Sequence, residues 1–373
     1  MIWDADNHLY EAPDAYTRYL PKRYAGAVQW VQIDGRTKLM IKGKLTDTIP
    51  NPTYEVVPTP GSWAEYFKGN NPEGKSLREL ARPIRCPEEF RHPAERLALL
   101  DRQGVDGCVL FPTTGGMLEE RMLDDWTFDY EGRIVPTPMI NLADVAGAVA
   151  EVDWVLERGA RCVLVNPRPV ATPSGRTTSI GHAQFDPFWR RVQEAGIPVL
   201  MHACDSGYDR YTRDWEGASA EYLPFQPDAF RTVVYEDARS ILDTCAALVC
   251  HGVFERNPGV RVGVVENGGA WVPRLLELFR RVRKKMPGEF ATDPVQQFTE
   301  HVWINPFHED DLSELIDLVG VERVMFGSDF PHPEGLAEPA SFVAEVAPLG
   351  ERAVTRIMGR NLLDLLQPKP FRA

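Results

Sequence analysis

The 373-residue sequence predicts an α/β protein, a distorted (β/α)8 TIM barrel with an insertion after its first strand. Three observations predict it. Short runs of β-branched and apolar residues alternate along the chain with longer amphipathic stretches, as parallel strands do with crossover helices. Eight such runs occur. No G-x-G-x-x-G or G-x-x-x-x-G-K-[ST] follows the first of them, so the phosphate-binding fingerprint of a doubly wound open sheet is missing.

The predicted strands are Ile2 to His8, Val105 to Phe111, Ile134 to Ile140, Arg161 to Asn166, Ile197 to His202, Val260 to Glu266, His301 to Asn305 and Arg323 to Ser328. Helix signals fall between them: Asp186 as a cap, Pro187 in the first turn, then FWRRVQEAG stopping at Gly196. DVAGAVAEVDWVLERG likewise ends in glycine before strand four. The stretch between strands one and two is far longer than a crossover needs, which places an insertion, about residues 21–90, on the barrel rim. Within it WVQIDGRTKLMIK predicts a hairpin turning at Asp34-Gly35, and the proline-rich DTIPNPTYEVVPTPGS an extended covering loop. Residues 1–373 are expected to form one domain.

Basic residues number 41 and acidic ones 54, so the formal charge is −13, the wrong sign for gripping nucleic acid. A composition of 43% apolar and 25% charged residues is that of a soluble globular protein with a large core. No run approaches the ~18 apolar residues of a membrane span, and MIWDADNHLY lacks the features of a leader. No membrane association and a cytoplasmic location are therefore expected. Cys86, Cys108, Cys162, Cys204, Cys245 and Cys250 form no Cys-x-x-Cys pair; they are expected as reduced thiols, several acting as small hydrophobes.

In such a barrel the active site lies at the C-terminal ends of the strands. Those ends collect Asp6 and His8 from strand one, His202 from strand five, Glu266 from strand six and Asp329 just after strand eight. Asp6 and His8 are two residues apart, so an extended strand points both to one side, where they can share an ion. A mixed His/carboxylate set suits Zn²⁺ best and tolerates Mn²⁺ or Fe²⁺. D-x-H alone is a weak signal. Its coincidence with a histidine ending strand five and an aspartate ending strand eight is much stronger.

DADNHLYE at 4–11, DPFWRRVQEAGIPVLMHA at 186–203, GVFERNPGVRVGVVENGGAW at 252–271 and MFGSDFPHPEG at 325–335 together resemble the amidohydrolase superfamily. The likeness is to its amidohydrolase-related branch, which includes aminocarboxymuconate-semialdehyde decarboxylase and the dihydroxybenzoate decarboxylases. The resemblance implies one divalent metal held by Asp6, His8, His202 and Asp329. There are two departures. Glu266, followed by Asn267-Gly268-Gly269, stands where those decarboxylases carry a catalytic histidine, and MLEERMLDDWTFDYEGR between strands two and three is shorter than in relatives, reducing one pocket wall. Two-metal members carry a carbamylated lysine at the end of strand four. Here that end reads VLVNPRP, and no lysine lies between Lys75 and Lys284, so one metal is expected.

At the end of strand four, Arg168 beside Asn166 either pairs bidentately with a substrate carboxylate or is an exposed structural arginine. Glu11 either orients His8 through its second ring nitrogen or caps a helix. His332 either touches substrate or braces its loop. His251, before strand six, is expected to be structural. The loop CDSGYDRYTRDW suits either a lid over a ring-bearing anion or a solvated loop.

The first functional reading is a metal-dependent hydrolase of an ester, lactone or amide with a small, ring-bearing or carboxylate substrate. The metal lowers the pKa of bound water towards about 7, Asp329 accepts its proton, and Glu266 passes a proton to the leaving group. The alternative is non-oxidative decarboxylation of an aromatic or unsaturated carboxylate, ranked second because Glu266 replaces the histidine. A catalytically silent binding barrel is the third, against which the intact metal set argues. The expected partner is a small-molecule substrate; a homodimer is implied only by the family, and the basic segment Phe279 to Phe290 fits either an interface or an exposed helix.

Overall fold

The computed structural model describes residues 1–18, 22, 25–41, 43–46, 51–114, 132–171, 176–204, 214–216, 229–235 and 238–369. Parallel pairing runs round the ring. Strand one, Trp3–Leu9, pairs with strand two, Gly107–Pro112, which pairs with strand three, Ile134–Pro136. Beyond Pro136 the chain bonds to strand four, Val163–Leu164, through Leu164 N–H to Pro138 O at 2.8 Å and Ile140 N–H to Leu164 O at 2.9 Å. Strand four pairs with strand five, Val199–His202, then come Val262–Val265 and Val302–Ile304 as strands six and seven. Met325 N–H donates to Ile304 O at 2.8 Å, and Ala5 N–H to Phe326 O at 2.9 Å, so the eighth segment joins strand seven to strand one.

That eighth segment departs from expectation. Instead of a ladder over Arg323 to Ser328 it forms isolated parallel bridges at Val324 and Phe330. Asp329, at φ +55°, bends the backbone out of the β region between the bridging positions. Strand four is likewise shorter than predicted.

Inside the barrel, Trp3, Ala5, Phe111, Leu164, Leu200, Val265 and Met325 pack together. Alternation turns Val199, Met201, Val262 and Val264 outward into the layer shared with the surrounding helices. Burying each such side chain stabilises the fold by about 1.5–3 kcal/mol. The C-terminal helix Asn361–Leu366 closes the end where the strands begin, through Leu362, Leu365 and Leu366. The helix Asp186–Ala195 ends at Gly196, φ +69°, as expected, but Asp186 is its first helical residue rather than its cap. The 3-10 turn Ala183–Phe185 runs directly into the helix, and the Asp186 carboxylate is engaged by Arg256 at 2.8 Å.

In the insertion, Val28–Ile33 and Arg36–Ile41 form the predicted hairpin, with Asp34 and Gly35 both at positive φ as a type I′ turn demands. The proline-rich segment is only partly a loop: Val56–Pro58 pairs with Pro83–Arg85. Tyr54, Val57 and Phe90 pack with Tyr10 and Phe330, fixing the insertion over the mouth of the barrel. The segments at 117–133 and 204–215 lie for the most part outside the described residues. No described helix is long and apolar enough to cross a membrane.

Candidate metal centre

Strand one carries one extra residue between Asp4 and Asn7 against strand two. This bulge shifts the phase of the strand, so that Ala5 joins the inner cluster and His8 stands near Phe111 above it. Asp4 pins the bulge. Its Oδ1 accepts from the N–H groups of Asp6 (3.0 Å) and Ser328 (2.8 Å), and its Oδ2 from Asn7 Nδ2 (3.0 Å) and the Ser328 hydroxyl. Burial pushes the Asp4 carboxyl up to about 7 against these hydrogen bonds, which favour its charge. Arg96, fully enclosed, donates to Asn7 Oδ1, to His8 O at 2.8 Å and to Glu89 O at 2.7 Å. The His8 backbone is thus held from below and from the side.

Four side chains converge above this framework: Asp6, His8, His202 and Glu266 offer ligand atoms that lie within 4.8 Å of one another. His8 Nε2 is 3.3 Å from Asp6 Oδ1, 3.0 Å from His202 Nε2 and 3.8 Å from Glu266 Oε2. Glu266 Oε2 is 2.7 Å from His202 Nε2. His202 donates from Nδ1 to Ala203 O at 2.8 Å, which leaves Nε2 as the inward-facing lone pair of the neutral ring. Two imidazole nitrogens facing each other at this distance need a cation or a proton between them, and the buried Asp6 Oδ1 has no hydrogen-bond partner. Two imidazoles and two carboxylates fit a divalent ion. Burial drives the His8 pKa well below its ordinary value. It acts the same way on His202, but the charges of Glu266 and Asp6 outweigh it and hold that pKa well above normal, so positive charge is favoured between the residues.

The backbone is strained on both sides of this group. Glu266 (φ +51°) and Asp329 (φ +55°) occupy the left-handed region, at a cost of about 1–3 kcal/mol each. The loop after Glu266 is braced by Asp310 Oδ2, which accepts from Gly269 N–H at 2.6 Å and Phe307 N–H at 2.8 Å. Asp329 N–H donates to Asp6 O at 2.8 Å. A Cβ at Gly327 would lie 2.6 Å from Asp6 Cβ and 2.7 Å from Asn305 Oδ1, so only glycine allows this approach. Asp329 Oδ1 is 3.4 Å from His8 Nε2 and 2.7 Å from His332 Nδ1, and the His332 ring lies 4.0 Å from that of His8. Burial raises the Asp329 pKa well above normal, and the nearby charges of Glu266, Glu334 and Asp6 raise it further.

The family model described as amidohydrolase matches residues 69–366. The chain belongs to this amidohydrolase family. It is 38% identical to a crystallised amidohydrolase from Mycobacterium avium subsp. paratuberculosis K-10, with a TM-score of 0.91 and 98% of each chain covered. A 5-carboxyvanillate decarboxylase from Novosphingobium aromaticivorans, solved with manganese and 4-hydroxy-3-methoxy-5-nitrobenzoic acid, shares the fold at 16% identity and a TM-score of 0.58, over 98% of this chain and 96% of that one. The 2-amino-3-carboxymuconate-6-semialdehyde decarboxylase of Dictyostelium discoideum is 22% identical over 49% of this chain and 48% of its own. The chain spans about half the length of the curated relatives it matches.

In this amidohydrolase the residues singled out in the sequence are distributed as follows. Asp6, His8 and His202 come together with Glu266, while Asp329 stands beside them, grouped with His8 and His332. Glu266, expected to handle a proton, is thus among the ligand atoms. Glu11 is not paired with His8; its Oε1 accepts from Thr114 N–H at 2.8 Å, and His8 Nδ1 has no hydrogen-bond partner. Asn166 is buried, and Arg168, half-buried, bonds its backbone N–H to Asn166 O. His251 is held by Ser179 Oγ at 2.7 Å. The sequence reading missed Asp4, Arg96, Thr113 and Ser328, which touch the backbone of Asp6 or His8 or the ring of His332, and Glu334, which is grouped with Glu266, Asp329 and His332. Asp4 alone left a signal, as the first acid of the alternating D-x-D-x-H run.

Proposed function

We propose that this amidohydrolase is a metal-dependent, non-oxidative decarboxylase acting on a small aromatic or unsaturated carboxylate. The observation that carries the reading is the 2.7 Å contact between Asp329 Oδ1 and His332 Nδ1, a pair able to share a proton directly beside the metal-binding group. Decarboxylation asks for an acid there, to give a proton to the carbon that loses CO₂. Curated relatives named as decarboxylases support the same choice.

Asp6, His8, His202 and Glu266 would hold the ion, with Asp329 within reach of it. When bound, a divalent ion supplies Lewis-acid polarisation of substrate oxygens. Asp4, Arg96 and Ser328 fix the backbone of the ligand residues, and His332 with Asp329 holds a proton over the His8 ring. Arg168 and Asn166 are proposed to receive the substrate carboxylate. The donor set suits zinc; manganese is the ion of the Novosphingobium structure. Hydrolysis is the second reading, favoured by Glu266, which stands where the resembling decarboxylases carry histidine.

The test is CO₂ release from a panel of hydroxybenzoates and unsaturated carboxylates, against ester and lactone panels, with protein loaded with Zn²⁺ or Mn²⁺. CO₂ release with esters and lactones left intact is expected. Turnover of esters or lactones without CO₂ would overturn the proposal.

A further inference from the structure

Thr113 directly follows strand two and faces strands one and eight at once. Its hydroxyl oxygen lies 2.7 Å from the Leu9 carbonyl oxygen and 3.1 Å from His332 Nε2. A hydroxyl has one proton to give, and a carbonyl oxygen can only accept. The proton therefore goes to Leu9, and Thr113 has only lone pairs left for His332. His332 Nε2 must be the donor, which turns Nδ1 towards Asp329 Oδ1 at 2.7 Å. The loop is held from outside as well: His332 N–H donates to Asp329 O at 2.9 Å, and Gly61 N–H from the insertion donates to His332 O at 3.2 Å.

We propose that Thr113 is a positioning residue of this site. Anchored on strand one, it fixes the tautomer and plane of His332, and through that ring the Asp329 carboxyl. The hydrogen bonds of the Thr113 hydroxyl go to Leu9 and His332 and not to Asp6, His8, His202 or Glu266, so its loss is expected to leave metal binding in place. Thr113→Ser keeps the hydroxyl, whereas Thr113→Val keeps the shape and sets a methyl against an N–H donor.

The effect on rate rests on the decarboxylase reading; the effect on the ring does not. The zinc-loaded full chain, labelled with ¹⁵N-histidine, reports the His332 tautomer through two-bond imidazole correlations, assigned with His332→Asn. The wild type and Thr113→Ser are expected to show His332 protonated at Nε2. In Thr113→Val, and in Thr113→Ala should the valine variant fail to fold, the ring signals shift, zinc content is unchanged, and kcat for CO₂ release falls about tenfold with KM within about twofold, as for other outer-sphere supports. Unchanged ring signals in those variants, or a serine variant as impaired as valine, would overturn the proposal. A wild type that releases no CO₂ yet shows the predicted tautomer change would count against the function and not against Thr113.

Discussion

At the base of the barrel, the buried Arg261 guanidinium reaches from the start of strand six to the carbonyl oxygens of Gly196, Leu365 (2.6 Å) and Gln367 (3.2 Å), tying the C-terminal helix under an apolar plug. At the mouth, Asp6, Glu266, Asp329 and Glu334 crowd together with three imidazoles, and two of the acids sit on left-handed backbone. One end meets its buried guanidinium with neutral carbonyls, through both terminal nitrogens. The other collects like charges and strained residues that only a bound cation or shared protons can offset. The base therefore serves stability and the mouth serves chemistry, and substitutions at the two ends should separate those properties.

The sharpest break is expected from His202→Ala. It removes a ring at the centre of the group while the rest of strand five stays packed, so metal content measured by elemental analysis, and CO₂ release with it, should fall on the order of a thousandfold with the fold intact by circular dichroism. Arg261→Ala should do the reverse. Several buried carbonyls lose a charged donor, lowering stability by about 3 kcal/mol in urea titration, while the metal content of the folded fraction stays at the wild-type level.

Gly327→Ala joins the two properties at one position. A methyl group 2.6 Å from Asp6 Cβ forces the strands apart, costing about 2 kcal/mol in urea titration and weakening metal affinity as well. The smallest expected effect has the opposite sign. Glu266→Gly relieves the left-handed backbone and removes a crowded carboxylate, so in metal-free protein it should raise stability by about 1 kcal/mol while lowering metal affinity in equilibrium dialysis. Were Glu266→Gly to destabilise the metal-free protein, the contrast between the two ends would be blunted.

The ring of strands was legible because Val, Ile and Leu recur at strand spacing, and the hairpin because Asp34-Gly35 has the residues a type I′ turn needs. Asp6, His8, His202, Glu266 and Asp329 were legible because the barrel rule assigns strand ends to one face. What stayed hidden depends on distances between remote segments. Arg96 lies 88 positions from the His8 carbonyl it holds, and Ser328 lies 324 from Asp4; no local pattern announces either contact. Glu11 was misplaced because a carboxylate near a histidine in sequence looks like its partner, yet the chain turns at strand one's end and delivers it to Thr114. The eighth strand was overdrawn because its apolar run gives no sign that Asp329 leaves the β region.

The most direct measurement is the anomalous-difference map of a crystal grown with Mn²⁺. One peak is predicted, at about 2.2 Å from both His8 Nε2 and His202 Nε2 and in reach of Asp6 and Glu266. A map with no peak there, or with the ion bound elsewhere on the chain, would contradict the account.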